Sequence, residues 1–220
     1  GNGTLTNANT ITPTYTADIS DEGNTVILTL SVTSNNACSP ITDTATYTID
    51  VDPKPIAIAG GSTTICVNSN HTVENAEAYY GTIQWTHDGA GYLENDTTTA
   101  PTYNPFFTDA GRTITLTMRV TSDNACGTQF DDAIAKYTIT IDSLPVAKAG
   151  GRFTICSDGT HKIRDTYSAN GNIFWTHNGN GTLENNTSIK PTYHADSTDG
   201  GNDVILTMTV TSDNTCYPNY

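Results

Sequence analysis

One stretch decides the fold of this chain: Ile114-Thr-Leu-Thr-Met-Arg-Val-Thr-Ser-Asp-Asn-Ala-Cys126. Its apolar residues occupy every second position, at Ile114, Leu116, Met118 and Val120. Because successive side chains of a β-strand point to opposite faces, this period of two predicts a strand with one packed face and one wet face. A polar Ser-Asp-Asn turn signal follows the strand. The same pattern occurs at residues 26–38 and 204–216.

The rest of the chain repeats in the same register. Cys38 and Cys126 are 88 residues apart, and Cys126 and Cys216 are 90 apart, as are Trp85 and Trp175. Other matches are Gly1-Asn-Gly-Thr-Leu5 with its copies at 89–93 and 179–183, Pro13-Thr-Tyr15 with Pro101-Thr-Tyr103 and Pro191-Thr-Tyr193, and Ala59-Gly-Gly-Ser-Thr-Thr-Ile-Cys66 with its copy ending at Cys156. A period near 90 is the length of one whole β-sandwich domain and is too long for a solenoid turn.

Composition favours the same class. Of the 220 residues, 35% are hydrophobic and only 15% are charged, so neutral polar residues must cover much of the surface. Thr suits a half-wet strand, and Asn and Gly suit turns that need unusual backbone angles. Helical spacing of apolar residues is hardly present. The sequence predicts an all-β chain of tandem sandwich units of about 90 residues.

The boundaries of these units fall at short links that carry proline, Asp52-Pro-Lys-Pro55 and Asp142-Ser-Leu-Pro145. They divide the chain into the C-terminal part of a unit at 1–52, a complete unit at 53–143, and a unit lacking its last strand at 144–220. Because short proline-bearing links limit hinge freedom, we expect a semi-rigid rod.

Five cysteines follow from the repeat, since each unit has an Ile-Cys near its start and a Cys after its long strand. The simplest scheme pairs Cys66 with Cys126 and Cys156 with Cys216, which leaves Cys38 to pair with a residue upstream of Gly1. Pairs across adjacent units, 38–66 and 126–156, fit the same counting, and sequence alone does not fix connectivity. Either scheme indicates an oxidising compartment outside the cytoplasm. Neither contains the Cys-x-x-Cys spacing of a zinc or redox centre.

Charge and missing motifs exclude several functions. Nine Lys and Arg stand against 23 Asp and Glu, for a formal net charge of -14, which is unsuited to nucleic acid or to an anionic membrane surface. No apolar run approaches the roughly 20 residues of a membrane helix, and the sequence shows neither a signal peptide nor a sorting tail. None of the common catalytic motifs is found, and histidines recur at matched positions as architectural residues do. The chain is predicted not to be an enzyme.

Site residues are few. The core is predicted to contain Trp85, Trp175, Tyr15, Tyr103 and Tyr193. No cofactor or metal site is expected. The candidates for a weak Ca²⁺ site are the acidic residues of one recurring turn, because oxygen-rich turns suit this ion: Asp21, Asp109, Asp199 and Asp203.

With these motifs in place, the sequence resembles the Ig-like or polycystic-kidney-disease-like (PKD-like) repeats of giant cell-surface proteins of Bacteroidota-type bacteria. The resemblance covers the entire chain, and Trp85, Trp175 and the pairs Cys66 with Cys126 and Cys156 with Cys216 occupy family-like positions. It implies immunoglobulin-like sandwiches in surface adhesins or appendage filaments. Where PKD repeats carry Trp-x-Phe-Gly-Asp-Gly, this chain has Trp85-Thr-His-Asp-Gly-Ala-Gly91, so Ig-like is the better term.

The predicted function is structural: a repeat segment of an extracellular filament or adhesin stalk that holds a binding tip away from the cell and supports attachment. Its partners are neighbouring repeats of the same chain, and bare edge strands would allow several chains to bundle. The alternative is that the repeats themselves bind carbohydrate, surfaces or other cells through exposed aromatic loops. Tyr79-Tyr80 and Phe106-Phe107 are the candidates, and the third copy lacks both. An accessory role beside a secreted hydrolase ranks last.

Overall fold

The chain is described by a computed structural model covering residues 1–37, 41–128 and 132–217. Over these residues the regular structure is strand, interrupted only by short 3₁₀ turns. The first unit contains a 3₁₀ turn at Ile19–Asp21 and four strands, β1 (Thr4–Thr6), β2 (Thr14–Thr16), β3 (Thr25–Thr33) and β4 (Thr42–Asp50). The strands pair antiparallel as β1–β2 and β3–β4.

The middle unit is the most complete. Its strands are β5 (Ile56–Ile58), β6 (Gly61–Cys66), β7 (His71–Thr72), β8 (Glu77–Tyr79), β9 (Gly81–His87), β10 (Tyr92–Glu94), β11 (Thr102–Asn104), β12 (Thr113–Ser122) and β13 (Ala133–Asp142), with 3₁₀ turns at Phe107–Asp109 and Ala125–Thr128. Four strands form the sheet β6-β13-β12-β9, in which β6 runs parallel to β13 and the other pairs are antiparallel. The remaining strands form the sheet β10-β11-β7 and the pair β5-β8.

The third unit repeats most of these elements. Its strands are β14 (Val146–Lys148), β15 (Thr160–Lys162), β16 (Tyr167–Ala169), β17 (Asn172–His177), β18 (Thr182–Glu184), β19 (Thr192–His194) and β20 (Leu206–Thr211), with a 3₁₀ turn at Ser197–Asp199. Residues 151–156, which correspond to β6, form no strand. The reason is that β6 pairs only with β13, and β13 has no counterpart in the part of the third unit that the structure describes.

The core of the middle unit lies between its sheets. The predicted alternation of β12 is confirmed, since Ile114, Leu116, Met118 and Val120 are all fully buried. Trp85 on β9 is 1% exposed and lies opposite Met118. Each such side chain contributes roughly 1.5–3 kcal/mol by leaving water. The all-β class and the sandwich architecture are therefore confirmed.

The equivalent strand of the first unit has an open face. Leu30 and Val32 on β3 are 56% and 59% exposed, although their counterparts Met118 and Val120 are fully buried. The difference arises because the described residues of the first unit, 1–37 and 41–52, contain no counterpart of β9, the strand that carries Trp85 beside β12 in the middle unit. The apolar pattern is the same in both units, and burial depends on the rest of the sandwich.

Both tryptophans are held by the same turn. The indole nitrogen of Trp85 donates to the carbonyl oxygen of Thr98 at 2.9 Å, and that of Trp175 donates to Ser188 at 3.1 Å. The turn before each acceptor passes through an asparagine in the left-handed region, Asn95 at φ 56° in the middle unit. Asn tolerates this conformation better than most residues, which explains its recurrence there.

Candidate functional site

A buried tyrosine–aspartate cluster with several hydrogen bonds lies at one end of the middle unit. Asp109 closes the 3₁₀ turn and is fully buried. The Tyr103 hydroxyl donates to its Oδ2 at 2.7 Å, and the backbone N–H groups of Ala90, Gly91 and Phe106 donate to its two oxygens at 2.8, 3.0 and 3.1 Å. One carboxylate thereby joins the turn between β9 and β10, strand β11 and the loop after β11 at one end of the sandwich.

The cluster recurs in the other two units. The Tyr15 hydroxyl donates to Asp21 at 2.6 Å, and the Tyr193 hydroxyl donates to Asp199 at 2.7 Å. Tyr103 and Tyr193 are buried, whereas Tyr15 is only partly buried because the first unit is open. Because the same tyrosine–aspartate hydrogen bond recurs in every unit, we interpret it as structural. In each repeat it holds the backbone of the neighbouring turns in place.

The same hydrogen bonds set the pKa values of the carboxyl groups. The Tyr15 hydroxyl, followed by the backbone N–H of Asn2, lowers the pKa of Asp21 to about 2. For Asp109 burial is the largest effect and raises the pKa, but the N–H and O–H donors together outweigh it and the pKa is lowered. Burial and the hydrogen bond to the aspartate raise the pKa of Tyr103. The charged carboxylate and the neutral phenol are thus the favoured forms.

This arrangement bears on the Ca²⁺ candidates. The carboxylate oxygens of Asp21, Asp109 and Asp199 face N–H and O–H donors, whereas a cation needs oxygen atoms converging on one point. The fourth candidate, Asp203, lies on the surface and pairs with Arg152 at 2.8 Å, both side chains being about 80% exposed. No group of three His, Cys, Asp or Glu side chains suited to a metal occurs within the described ranges. The recurring aspartates thus act in this structure as acceptors for backbone N–H and tyrosine O–H donors.

The junction between the middle and third units carries a disulfide between Cys66 and Cys216, with Cα atoms 4.7 Å apart. This pairing is in neither predicted scheme, so the predictions of 66–126 and 156–216 are wrong for this structure. The other two described cysteines, Cys126 and Cys156, form no disulfide, and the alternative pair 126–156 is also absent from the described residues. Cys38 lies outside the described residues.

The parallel pairing of β6 with β13 explains the error. It places Cys66 opposite Asp142, at the end of β13 that leads into the third unit. β12 runs antiparallel to β13, so Cys126 follows β12 at the opposite end of the sandwich. Ten residues of strand separate these ends, which is roughly 30 Å at about 3.3 Å per residue. A disulfide needs Cα atoms within about 7 Å, so the two cysteines of one unit cannot pair.

Hydrogen bonds surround this disulfide and also cross the junction. Asn214 Nδ2 donates to the Ser143 carbonyl oxygen at 3.0 Å, and its Oδ1 accepts from the Cys216 N–H at 2.9 Å. The N–H and hydroxyl of Thr215 donate to the Asp142 carboxylate at 3.0 and 2.7 Å. The loop after β20 is thereby fastened to the last residues of the preceding unit. Cys216 is fully buried there.

The sequence reasoning missed the junction asparagines and aspartates. A signal for them was present, because Asp52 and Asp142 are 90 residues apart, as are Asn124 and Asn214. Their recurrence beside the links and the late cysteines indicated a shared role, which the structure identifies as hydrogen bonding across the link.

The aromatic candidates for binding lie at the surface. Phe106 and Phe107 are 52% and 71% exposed, with ring centroids 4.5 Å apart. Tyr79 and Tyr80 are about half exposed, with centroids 6.2 Å apart. The two pairs are therefore accessible to a partner. The repeated histidines contact aromatic rings instead, as His87 does edge-on with the buried Tyr103 at 5.2 Å.

Comparison with known proteins gives weak similarity only. No family model and no curated protein matches the chain. Among solved structures, Drosophila N-cadherin EC1-4 is similar at 17% identity and a TM-score of 0.38, covering 87% of this chain and 56% of that one. Sidekick-1 immunoglobulin domains 1-4 give 16% identity and a TM-score of 0.37, covering 82% and 56%.

A nucleoside hydrolase-related hypothetical protein from Saccharophagus degradans gives 10% identity and a TM-score of 0.33, covering 43% of this chain and 26% of that one. The chain thus spans at most about half the length of these proteins. The fold assignment rests on the strand pairing described above. No helix in the described part of the chain is long and apolar enough to cross a membrane.

Proposed function

We propose that the chain is a repeat segment of an extracellular filament or adhesin stalk, of the kind that the resemblance to Ig-like repeats of large bacterial surface proteins implies. One observation carries the proposal: the link between two successive units is fastened by a disulfide and by hydrogen bonds from Asn214 and Thr215. A junction fixed in this way suits a spacer, which must hold its length. Domains that act independently on flexible linkers would gain nothing from a fixed junction.

Two further features support a structural role. The tyrosine–aspartate cluster is present in all three units, so the chain repeats one architectural device and no unit is singled out for chemistry. The formal net charge of -14 favours solubility and repulsion between neighbouring chains in a crowded surface layer. The proposed role is non-enzymatic, and the proposed compartment is extracellular and oxidising, as disulfides require.

Electron microscopy of the native material, with an antibody against this segment, tests the proposal. Label repeating along a surface fibre is the expected result, and the width of the fibre distinguishes one chain from a bundle. Label confined to fibre tips or to contact points with other cells would overturn the role as a shaft.

A second function is favoured by one observation, the exposed pair Phe106-Phe107. In this alternative the repeats bind carbohydrate or another cell directly. A glycan array on the wild-type chain and on a Phe106→Ser, Phe107→Ser variant tests it. Binding that the double variant loses would support adhesion by the repeats, and an array without hits would count against it.

A further inference from the structure

Cys126 occupies the same place at the first junction that Cys216 occupies at the second. Asn124 Nδ2 donates to the Pro53 carbonyl oxygen at 3.0 Å and its Oδ1 accepts from the Cys126 N–H at 2.9 Å. The Ala125 N–H donates to the Asp52 carboxylate at 3.1 Å. These bonds match those of Asn214, Thr215 and Cys216 in partners and length.

The two sulfur atoms are also placed alike. The Cys126 sulfur lies 3.4 Å from the carbonyl oxygen of Asp52, and the Cys216 sulfur lies 3.7 Å from that of Asp142. Both cysteines are buried against the end of the preceding unit. At the second junction the remaining position beside Asp142 is filled by Cys66, which is in register with it on the parallel strand.

We propose that the Cys66–Cys216 disulfide is one copy of a repeating cross-link, in which the Ile-Cys cysteine of each unit pairs with the late cysteine of the next unit. Cys126 is then the late half of the cross-link at the first junction. Its partner is the Ile-Cys cysteine of a complete preceding unit. Cys156 is the early half of the cross-link to a following unit.

The states of the described cysteines agree with this pattern. Cys66 is bonded to Cys216 and is 1% exposed, whereas Cys156, in the matching Ile-Cys position of the third unit, forms no disulfide and is exposed. A disulfide between the two cysteines of one unit is excluded, because the strand pairing places them at opposite ends of the sandwich. The inference holds whether the array is a stalk or an adhesive surface, so it does not rest on the proposed function.

The chemistry needs a disulfide oxidant such as oxidised glutathione. A cysteine thiolate attacks one sulfur of the oxidant and releases one thiol, forming a mixed disulfide. The second cysteine thiolate then attacks the protein sulfur of that mixed disulfide and releases the second thiol. The two cysteines together lose two electrons and two protons. These electrons and protons convert one molecule of oxidised glutathione into two molecules of reduced glutathione.

The chain itself gives the first test. Trypsin cleaves after Arg119, Lys136, Arg152 and Lys162, which puts Cys126 on residues 120–136 and Cys156 on residues 153–162. Trypsin also cleaves after Arg112 and Arg164, whereas the Lys-Pro bonds at 54–55 and 190–191 resist it, so Cys66 lies on residues 1–112 and Cys216 on residues 165–220. Because residues 1–112 also contain Cys38, this test uses a Cys38→Ser chain, in which Cys66 is the sole cysteine of that peptide. After oxidation and alkylation of this chain, mass spectrometry should find 1–112 joined to 165–220, with the other two peptides alkylated. A link between 1–112 and 120–136 would overturn the pattern.

The second test supplies the missing partner. Residues 53–88 are fused ahead of Gly1, which matches Gly89 in the repeat, so that the first unit gains its own Ile-Cys cysteine. In this extended chain Cys38→Ser and Cys66→Ser remove the competing thiols. We expect the N-terminal peptide to be joined to 120–136, while Cys216 is alkylated.

Tryptophan fluorescence of the extended variant establishes that it is folded. In a folded variant, an alkylated Cys126 or an N-terminal peptide joined to 165–220 would each overturn the proposal. The matched control replaces the added cysteine by Ser and should lose the cross-link completely.

Discussion

Replacing Asp109 by Ala should destabilise the middle unit by about 3 kcal/mol. The carboxylate accepts from the N–H groups of Ala90, Gly91 and Phe106 and from the Tyr103 hydroxyl. The Gly91 N–H keeps a second acceptor, the Tyr103 oxygen at 3.1 Å. The Arg112 guanidinium also donates to Oδ1, at 3.3 Å, but it is half exposed and water can replace the carboxylate. Three inner donors therefore lose their partner. A buried donor without a partner costs about 1–3 kcal/mol, and the lower value for each gives the total. The lower value applies because the cavity left by the carboxylate lets water approach.

Urea unfolding measures this loss. Trp85 reports on the middle unit, and a Trp175→Phe background in every variant removes the signal of the third unit. Asp123→Ala is the matched control, because its carboxylate is exposed on the same unit and such surface changes usually alter the free energy of unfolding by about 0.5 kcal/mol or less. A change in the free energy of unfolding for Asp109→Ala no larger than for Asp123→Ala would refute the reasoning.

Four further predictions concern the same features. Tyr103→Phe should cost about 1–2 kcal/mol in urea unfolding, because the phenyl ring still fills the core while one hydroxyl bonded to Asp109 is lost; an unchanged midpoint would contradict this. The pKa of Asp109 is lowered, and that of Asp21 is lowered to about 2. The charged carboxylates therefore stabilise the folded state fully at pH values above the ordinary carboxyl pKa near 3.9, and this stabilisation is lost as the pH falls. The melting temperature should therefore fall as the pH drops from about 4 towards 2, and less steeply in Asp109→Ala; a rise over this range would have the wrong sign. Cys66→Ser should broaden the distribution of end-to-end distances in small-angle X-ray scattering, compared with Cys156→Ser as control, because only the former opens the junction. Millimolar Ca²⁺ or EDTA should leave the melting temperature unchanged, and a rise with Ca²⁺ would show an ion site that the carboxylate geometry argues against.

The strands were predictable because a strand with one buried face needs an apolar residue at every second position. Ile114 to Val120 alternate in the sequence and are fully buried in the structure. The same alternation at Leu30 and Val32 did not predict burial, since burial depends on strands elsewhere in the unit. The local sequence pattern therefore determined which residues form strands, and the other strands of the unit determined how far each strand face is buried.

The candidate sites were predicted less well, for a physical reason. Tyr103 and Asp109 were both singled out, but as a core residue and a metal candidate, because nothing in the spacing of six residues indicates a hydrogen bond between them. Cysteine pairing was wrong because counting per repeat says nothing about strand direction. The parallel pairing of β6 with β13, which moves Cys66 to the far end of its unit, is a tertiary property.

The disulfide at the second junction has a mechanical consequence. It joins residues 150 positions apart, so a pull applied to the two ends of the chain passes through the sulfur bridge and leaves the enclosed polypeptide slack. At 3.3–3.6 Å per residue, about 500 Å of chain is withheld from stretching while the bridge is intact. An array bridged in this way would yield little under shear, and it would become extensible only where a reductant reaches the bond.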